Sequence, residues 1–86
     1  DWVNRRCVPH PYATMTQPVS LTGNWKNISR KTFIKAGLYT TSPFGPFAEA
    51  AKNDPDWQYE EIDAGHDIML DAPKELSDAL VRAAAL

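Results

Sequence analysis

The sequence has very little cysteine and histidine. Cys7 is its only cysteine, so no disulfide can form within the chain and no group of thiolates can hold a metal ion. Cys7, His10 and His66 do not form a cluster with the spacing of metal ligands, and we therefore expect no metal and no cofactor. A single unpaired thiol suits a reducing compartment, which predicts a cytoplasmic protein.

Long apolar runs are also missing, and none approaches the roughly 20 residues of a membrane span. The four glycines form no phosphate-binding loop. The net charge of −2 hides an uneven distribution, because six bases face one acid up to Lys35, whereas three bases face ten acids from Ala36 onward. The basic part has no nucleic-acid-binding motif, and pairing with the acidic part explains it better. We therefore expect neither nucleic acid nor a membrane as a partner.

The first thirty residues contain three prolines, which divide this segment into short pieces. Each proline lacks an amide donor and disfavours helix in the residue before it. Pro11 is well placed to open a short helix that ends at Gln17. Tyr12, Met15 and Trp25 either line a substrate pocket or pack against the rest of the protein, and both interpretations stay open.

The rest of the sequence predicts a strand, a helix, a strand and a helix in that order. This order is typical of an α/β protein with parallel strands and a right-handed crossover. Each helix should bury one stripe of side chains: Phe47, Ala50 and Ala51 on the first, and Leu76, Ala79, Leu80 and Ala83 on the second. The predicted elements are a strand from Lys31 to Tyr39, a helix from Pro46 to about Asn53, a strand from Trp57 to Asp63, and a helix that starts at Pro73.

The first of these strands is apolar along nearly its whole length, as in a strand that a parallel sheet covers on both faces. Phe33, Ile34 and Leu38 therefore need neighbours that two strands and two or three helices do not supply. The chain also starts at Asp1 rather than at a methionine. We expect the sequence to be the C-terminal portion of a larger α/β domain, incomplete as given.

One histidine lies where such a fold keeps its ligands. His66 directly follows Gly65 at the end of the second strand, and open α/β sheets bind ligands at the carboxyl ends of their strands. Gly65 permits a sharp turn and brings no side chain to cover its neighbour. An imidazole accepts and returns a proton near neutral pH. His66 is therefore a candidate general base, and the alternative is a solvent-exposed histidine in a turn.

The stretch around His66 resembles the C-terminal end of the α/β-hydrolase fold. The resemblance is closest to small-molecule esterases, including methylesterase and hydroxynitrile-lyase-like members. The matching residues, in order, are Gly65-His66-Asp67, Met69-Leu70, Ala72-Pro73, Leu76 and Leu80.

This resemblance implies that residues 1–30 are the end of a cap or lid and its return segment. Residues 31–86 would be the C-terminal strand–helix–strand–histidine loop–helix unit of the hydrolase core. His66 would be the triad histidine, with Met69 and Leu70 packed beneath it, and the substrate would be a small-molecule ester. The nucleophilic serine precedes the histidine in this family, on a G-x-S-x-G elbow. No serine of this chain has glycines at that spacing, so the elbow is expected in upstream sequence that completes the domain.

The acid of the triad is the point where the sequence departs from the family. The loop Thr40–Phe44, where the family often places an aspartate, contains no carboxylate. Either the acid comes from another part of the complete protein or the triad is incomplete. Two alternatives to an esterase stay open, namely a lyase of the same fold and a non-catalytic fragment or degenerate homologue that only binds a ligand or partner.

Overall fold

The computed structural model describes residues 1–85, so Leu86 of the predicted 31–86 unit lies outside the described residues. Its strands and longer helices follow the predicted order, and short helices and turns fill the remainder. The elements are β1 (Lys31–Ala36), β2 (Trp57–Ile62), α1 (Ala13–Thr16), α2 (Gly45–Asn53), α3 (Ile68–Asp71), α4 (Pro73–Ala84), and two 3-10 turns at Asn4–Arg6 and Asn24–Asn27.

The two strands pair in parallel, with Lys31 opposite Trp57 and Ala36 opposite Ile62. Helix α2 forms the crossover between them, as parallel pairing requires. The chain is therefore an α/β unit with a two-stranded parallel sheet in the part that the structure describes. Parallel pairing brings the carboxyl ends of both strands to one edge.

Strand β1 is shorter than predicted. It ends at Ala36, because the Tyr39 N–H donates back to the Ala36 carbonyl (3.2 Å) and closes a turn. Hydrogen bonding to β2 and the segment after it continues for two more residues, since the Gly37 N–H donates to the Ile62 carbonyl at 2.8 Å and the Leu38 N–H to the Ala64 carbonyl at 3.0 Å. The apolar run from Lys31 to Tyr39 therefore comprises strand β1 and the tight turn that follows it.

Small side chains form most of the core. One cluster lies between β2, α3 and α4, and Ile34, Ala36 and Leu76 pack partly buried against it. On α2, Ala48 and Ala51 are the buried residues. The cluster is Ile62, Ala64, Ile68, Ala72 and Ala79.

The predicted stripes of the two helices are partly wrong. Phe47 and Ala50 of α2 are exposed, because Ala48 and Ala51 face the sheet and allow the helix to approach it closely. On α4, Ala79 is fully buried but Leu80 is exposed. A sheet of two strands is too narrow to cover the whole predicted apolar face of each helix. Large side chains at the side of that face, such as Phe47 and Leu80, therefore remain in solvent.

Residues 1–30 run over the outside of the unit. Except for the partly buried Gly23, all of them are exposed. The Arg30 guanidinium donates to the Ala85 carbonyl at 2.6 Å, and the Lys31 ammonium donates to the Ile28 carbonyl at 2.8 Å. The division into a cap segment and a core unit stays a prediction.

Charge pairs connect the elements. Arg82 of α4 donates to both carboxylate oxygens of Glu60 in β2, at 3.1 and 2.7 Å, and this hydrogen bonding lowers the pKa of Glu60. Lys35 of β1 lies 3.4 Å from Glu61 of β2, which is a pair between the basic and acidic parts of the sequence. Within residues 1–85, no helix is long and apolar enough to cross a bilayer.

Candidate active site around His66

His66 lies at the edge of the sheet where both strands end. It follows β2, and its ring packs against the ring of Tyr39, which follows β1, with 4.8 Å between the ring centroids and 48° between the planes. Because parallel strands run in register, the residues beyond their carboxyl ends necessarily come together. The position that the sequence predicted for His66 is the position that it occupies.

A cavity of about 180 Å³ opens beside the imidazole. Ile34 and Ile68 contribute apolar walls, and Ser42 and Tyr39 contribute hydroxyl groups. Pockets for small molecules commonly have volumes of roughly 300–1,000 Å³, so this cavity has room for part of a substrate only. His66 itself is exposed, which leaves its ring accessible from this side.

No carboxylate holds the imidazole in the part of the chain that the structure describes, because none of its ion pairs or side-chain hydrogen bonds involves His66. Asp67 is adjacent in sequence, but it makes no side-chain capping bond at the start of α3. A triad histidine needs an acid to fix its tautomer and stabilise the imidazolium. Within residues 1–85, His66 therefore has no carboxylate partner of this kind.

The turn that carries His66 is closed by Asp71. The Gly65 N–H donates to Asp71 Oδ2 at 3.0 Å, and the Asp67 carbonyl accepts from the Asp71 N–H at 3.1 Å. The Asp71 carboxylate thus bonds to the backbone just before His66, and α4 begins without a side-chain cap.

The structure shows a steric reason for glycine at position 65. Its φ is not positive, unlike that of Gly23, so a left-handed backbone does not require a glycine. A Cβ on residue 65 would lie 2.8 Å from Asp71 Oδ2. Glycine therefore leaves room for the carboxylate.

The side chain packed beneath the His66 turn is Ile68, not Met69 or Leu70 as predicted. Ile68 is 9% exposed, whereas Met69 and Leu70 are 57% and 50% exposed. Ile68 belongs to the core cluster and also lines the His66 cavity. Of the four residues of α3, Ile68 is the one that is buried.

Two of the predicted substrate-binding residues lie away from His66. Tyr12 and Met15 are 82% and 77% exposed, and neither lines the His66 cavity. Trp25 lines a second, largely apolar cavity of about 510 Å³. Phe33 and Phe44 contribute to both cavities, so Trp25 is the one of the three that lies next to the His66 cavity. Substrate binding by all three residues stays a prediction.

Two residues of the site, Tyr39 and Asp71, were missed in the sequence analysis, and only Tyr39 had a signal that could have revealed it. Tyr39 lies just beyond a strand that runs parallel to β2, so its approach to His66 follows from the topology. Asp71 has no such signal, because a side-chain bond to a backbone amide six residues earlier depends on how α3 folds. Among residues 1–85, no group of three or more metal-ligating side chains comes together.

Comparison with known proteins adds one relative. Over 80 residues the chain is 41% identical to a carbendazim hydrolyzing esterase of Nocardioides sp. (strain SG-4G). The match covers 93% of this chain and 33% of the esterase, so the chain spans about a third of the length of that curated relative. No protein-family model and no solved structure matches the chain. The match supports a distant relationship to an esterase.

Proposed function

We propose that this chain is the C-terminal part of an α/β-hydrolase that cleaves small-molecule carboxylic esters, with His66 as its general base and acid. The observation that carries the proposal is the position of His66 just after β2, with an accessible ring, a cavity beside it and Tyr39 against it. The similarity to an esterase supports it independently. Because the match spans 80 of 86 residues, it includes the His66 turn.

In this proposal the imidazole takes the proton of an alcohol nucleophile as that oxygen attacks the ester carbonyl. The same imidazole then gives the proton to the leaving alcohol, and an acyl-enzyme remains. Water attacks the acyl-enzyme in a second step, in which His66 again removes and returns a proton. The serine, the oxyanion donors and the acid belong to the rest of the protein. Trp25 and its neighbours, and Tyr12 and Met15 on the cap segment, would contact the substrate.

The remaining part of the same domain is the partner that this chain needs. The relative is about three times as long as the matched region. Strand β1 pairs on one edge only, and the 510 Å³ cavity between α2, β1 and Trp25 is open to solvent with mostly apolar walls. These surfaces suit further elements of an α/β sheet. A cytoplasmic location fits the single thiol, Cys7, which is free and exposed.

A second candidate function is binding without catalysis. The observation that favours it is the imidazole of His66, which no carboxylate contacts within residues 1–85. A degenerate homologue that has lost its triad acid would bind ester-like ligands and would not turn them over.

Replacement of His66 by alanine in the complete protein separates the two functions. We expect His66→Ala to reduce hydrolysis of p-nitrophenyl acetate and of carbendazim by about 10²–10⁴-fold, because a positioned general base contributes that much. The matched control is His10→Ala, which replaces the other histidine of the chain, an exposed one, and should retain full activity. An active His66→Ala enzyme would disprove the proposal, and a complete protein that binds these esters without hydrolysing them would favour the non-catalytic function.

A further inference from the structure

Two different contacts hold His66 in place. The ring of Tyr39 packs against its imidazole, and the carboxylate of Asp71 accepts a hydrogen bond from the amide immediately before it, on Gly65. The orientation of the imidazole therefore depends on the backbone turn from residue 65 to residue 71, which the side chain of Asp71 closes. A base that shuttles a proton must be held within a fraction of an ångström of its working position.

We propose that Asp71 is a positioning residue of the active site, which fixes the His66 turn through its hydrogen bond to the Gly65 N–H. The inference rests on the proposed function, because it assumes that His66 transfers protons. Asp71 does not contact the substrate or the imidazole. It acts through the backbone, by holding the segment from residue 65 to residue 71 as one closed loop.

The local geometry favours a specific contact over a general effect of negative charge. Asp71 Oδ2 lies 3.0 Å from the Gly65 nitrogen, and the space that a Cβ of residue 65 would need is the space that this oxygen occupies. Asp67, in the same turn, carries the same charge but makes no side-chain bond to the start of α3. The two aspartates thus form a matched pair, one bonded to the turn and one not.

The test uses the complete protein and compares Asp71→Ala with Asp71→Asn. Asparagine retains an oxygen that accepts the Gly65 N–H, and alanine does not. We expect Asp71→Ala to lower kcat by about 10–100-fold with KM changed less than about threefold, because a misplaced base slows the chemistry and leaves substrate binding intact. Asp71→Asn should restore kcat to within about fivefold of the original enzyme. Rates are expressed per active site, titrated by the burst of p-nitrophenol, so that partial unfolding does not count as lost catalysis.

Asp67→Ala is the matched control and should retain its kcat. An equal loss in Asp67→Ala, an equal loss in Asp71→Asn, or full kcat in Asp71→Ala would each overturn the inference. Failure of the proposed function has a different signature, since His66→Ala would then retain activity. If His66→Ala is inactive while Asp71→Ala is fully active, only the positioning role is wrong.

A second substitution tests the same contact if Asp71→Ala does not fold. Gly65→Ala places a methyl group 2.8 Å from the original position of Asp71 Oδ2, so the carboxylate must move away although residue 71 is unchanged. We expect Gly65→Ala to lower kcat as Asp71→Ala does. Where Asp71→Ala also folds, the effect of Gly65→Ala combined with it should be clearly less than additive, because both changes disrupt one contact. Full kcat in Gly65→Ala, or strict additivity, would contradict the proposal.

Discussion

At the scale of single residues, the loop after β2 combines a buried side chain, Ile68, with an exposed imidazole, that of His66. Ile68 packs into the core cluster, and His66 lies two residues earlier in solvent beside the cavity that Ile68 also lines. The position of His66 at the end of β2 was predictable from the sequence, because a glycine and a histidine follow the strand pattern of Trp57–Ile62 within a few residues. The buried side chain was not predictable, since any of three consecutive apolar residues, 68 to 70, can face inward until the start of α3 is known.

Truncation of Ile68 should therefore be more damaging than truncation of its neighbour. We expect Ile68→Ala to lower the free energy of unfolding of the complete protein by about 2–4 kcal/mol, because it removes a buried side chain and leaves a cavity. Met69→Ala, a change of similar size at an exposed position, should cost about 0.5 kcal/mol or less. Urea unfolding of both variants measures the difference, and equal losses would contradict Ile68 as the single buried anchor of this turn.

At the scale of elements, the order of strands and helices was predictable and the faces of the helices were predictable in part. Period-two and apolar-run patterns located β1 and β2, and the prolines at positions 46 and 73 marked the starts of α2 and α4. Which stripe of α2 faces the sheet depends on how closely the helix approaches, and the small Ala48 allows an approach that Phe47 would prevent. Such packing choices depend on neighbours distant in sequence.

The contact between α4 and β2 should weaken at acid pH, because it includes the carboxylate of Glu60. The hydrogen bonds from Arg82 lower the pKa of Glu60 below its ordinary value of 4.5. A carboxylate with a lowered pKa contributes stability that is fully present above 4.5 and is lost as the pH falls through the folded-state pKa. We therefore expect Arg82→Ala to lower the Tm of the complete protein at pH 7. This decrease in Tm should become progressively smaller below pH 4.5, as thermal melts across pH 3–7 would show.

Lys74→Ala is the control for this experiment. Lys74 pairs with Asp78 within α4 at 2.7 Å and holds no other element, so its loss affects the helix alone. Lys74, Asp78 and Arg82 are exposed and Glu60 is only half-buried, so the effects will be modest. A difference in Tm between Arg82→Ala and the original protein that stays constant down to pH 3 would show that Glu60 does not contribute in this way.

At the scale of the whole molecule, the core is small and one face is uncovered. Among residues 1–85, the buried side chains are those of alanine and isoleucine, and no large side chain is fully buried. Phe33, Phe47 and Trp57 line an apolar cavity that opens to solvent. A core of this size supplies little stability by itself. The apolar character of β1 leads to the same prediction, that further elements cover this face.

The isolated 86-residue chain should therefore self-associate through this apolar face. We expect light scattering to show oligomers or aggregates, and thermal melts to lack a cooperative monomeric transition. Phe47→Asp should increase the monomer fraction, because it places a charge on the exposed apolar cavity. Val8→Asp adds the same charge at an exposed position outside that cavity and should have little effect. A monomeric, cooperatively melting chain would show that the unit needs no further elements.

The most direct measurement of the role of His66 is the rate at which a fluorophosphonate labels the complete protein. The reagent reports attack by an activated serine, and its fluoride leaves without needing a proton from the imidazole. If the imidazole of His66 removes the serine proton, His66→Ala should slow labelling by about 10²–10⁴-fold while His10→Ala labels at the original rate. Labelling of His66→Ala at the original rate would contradict a general base at this position.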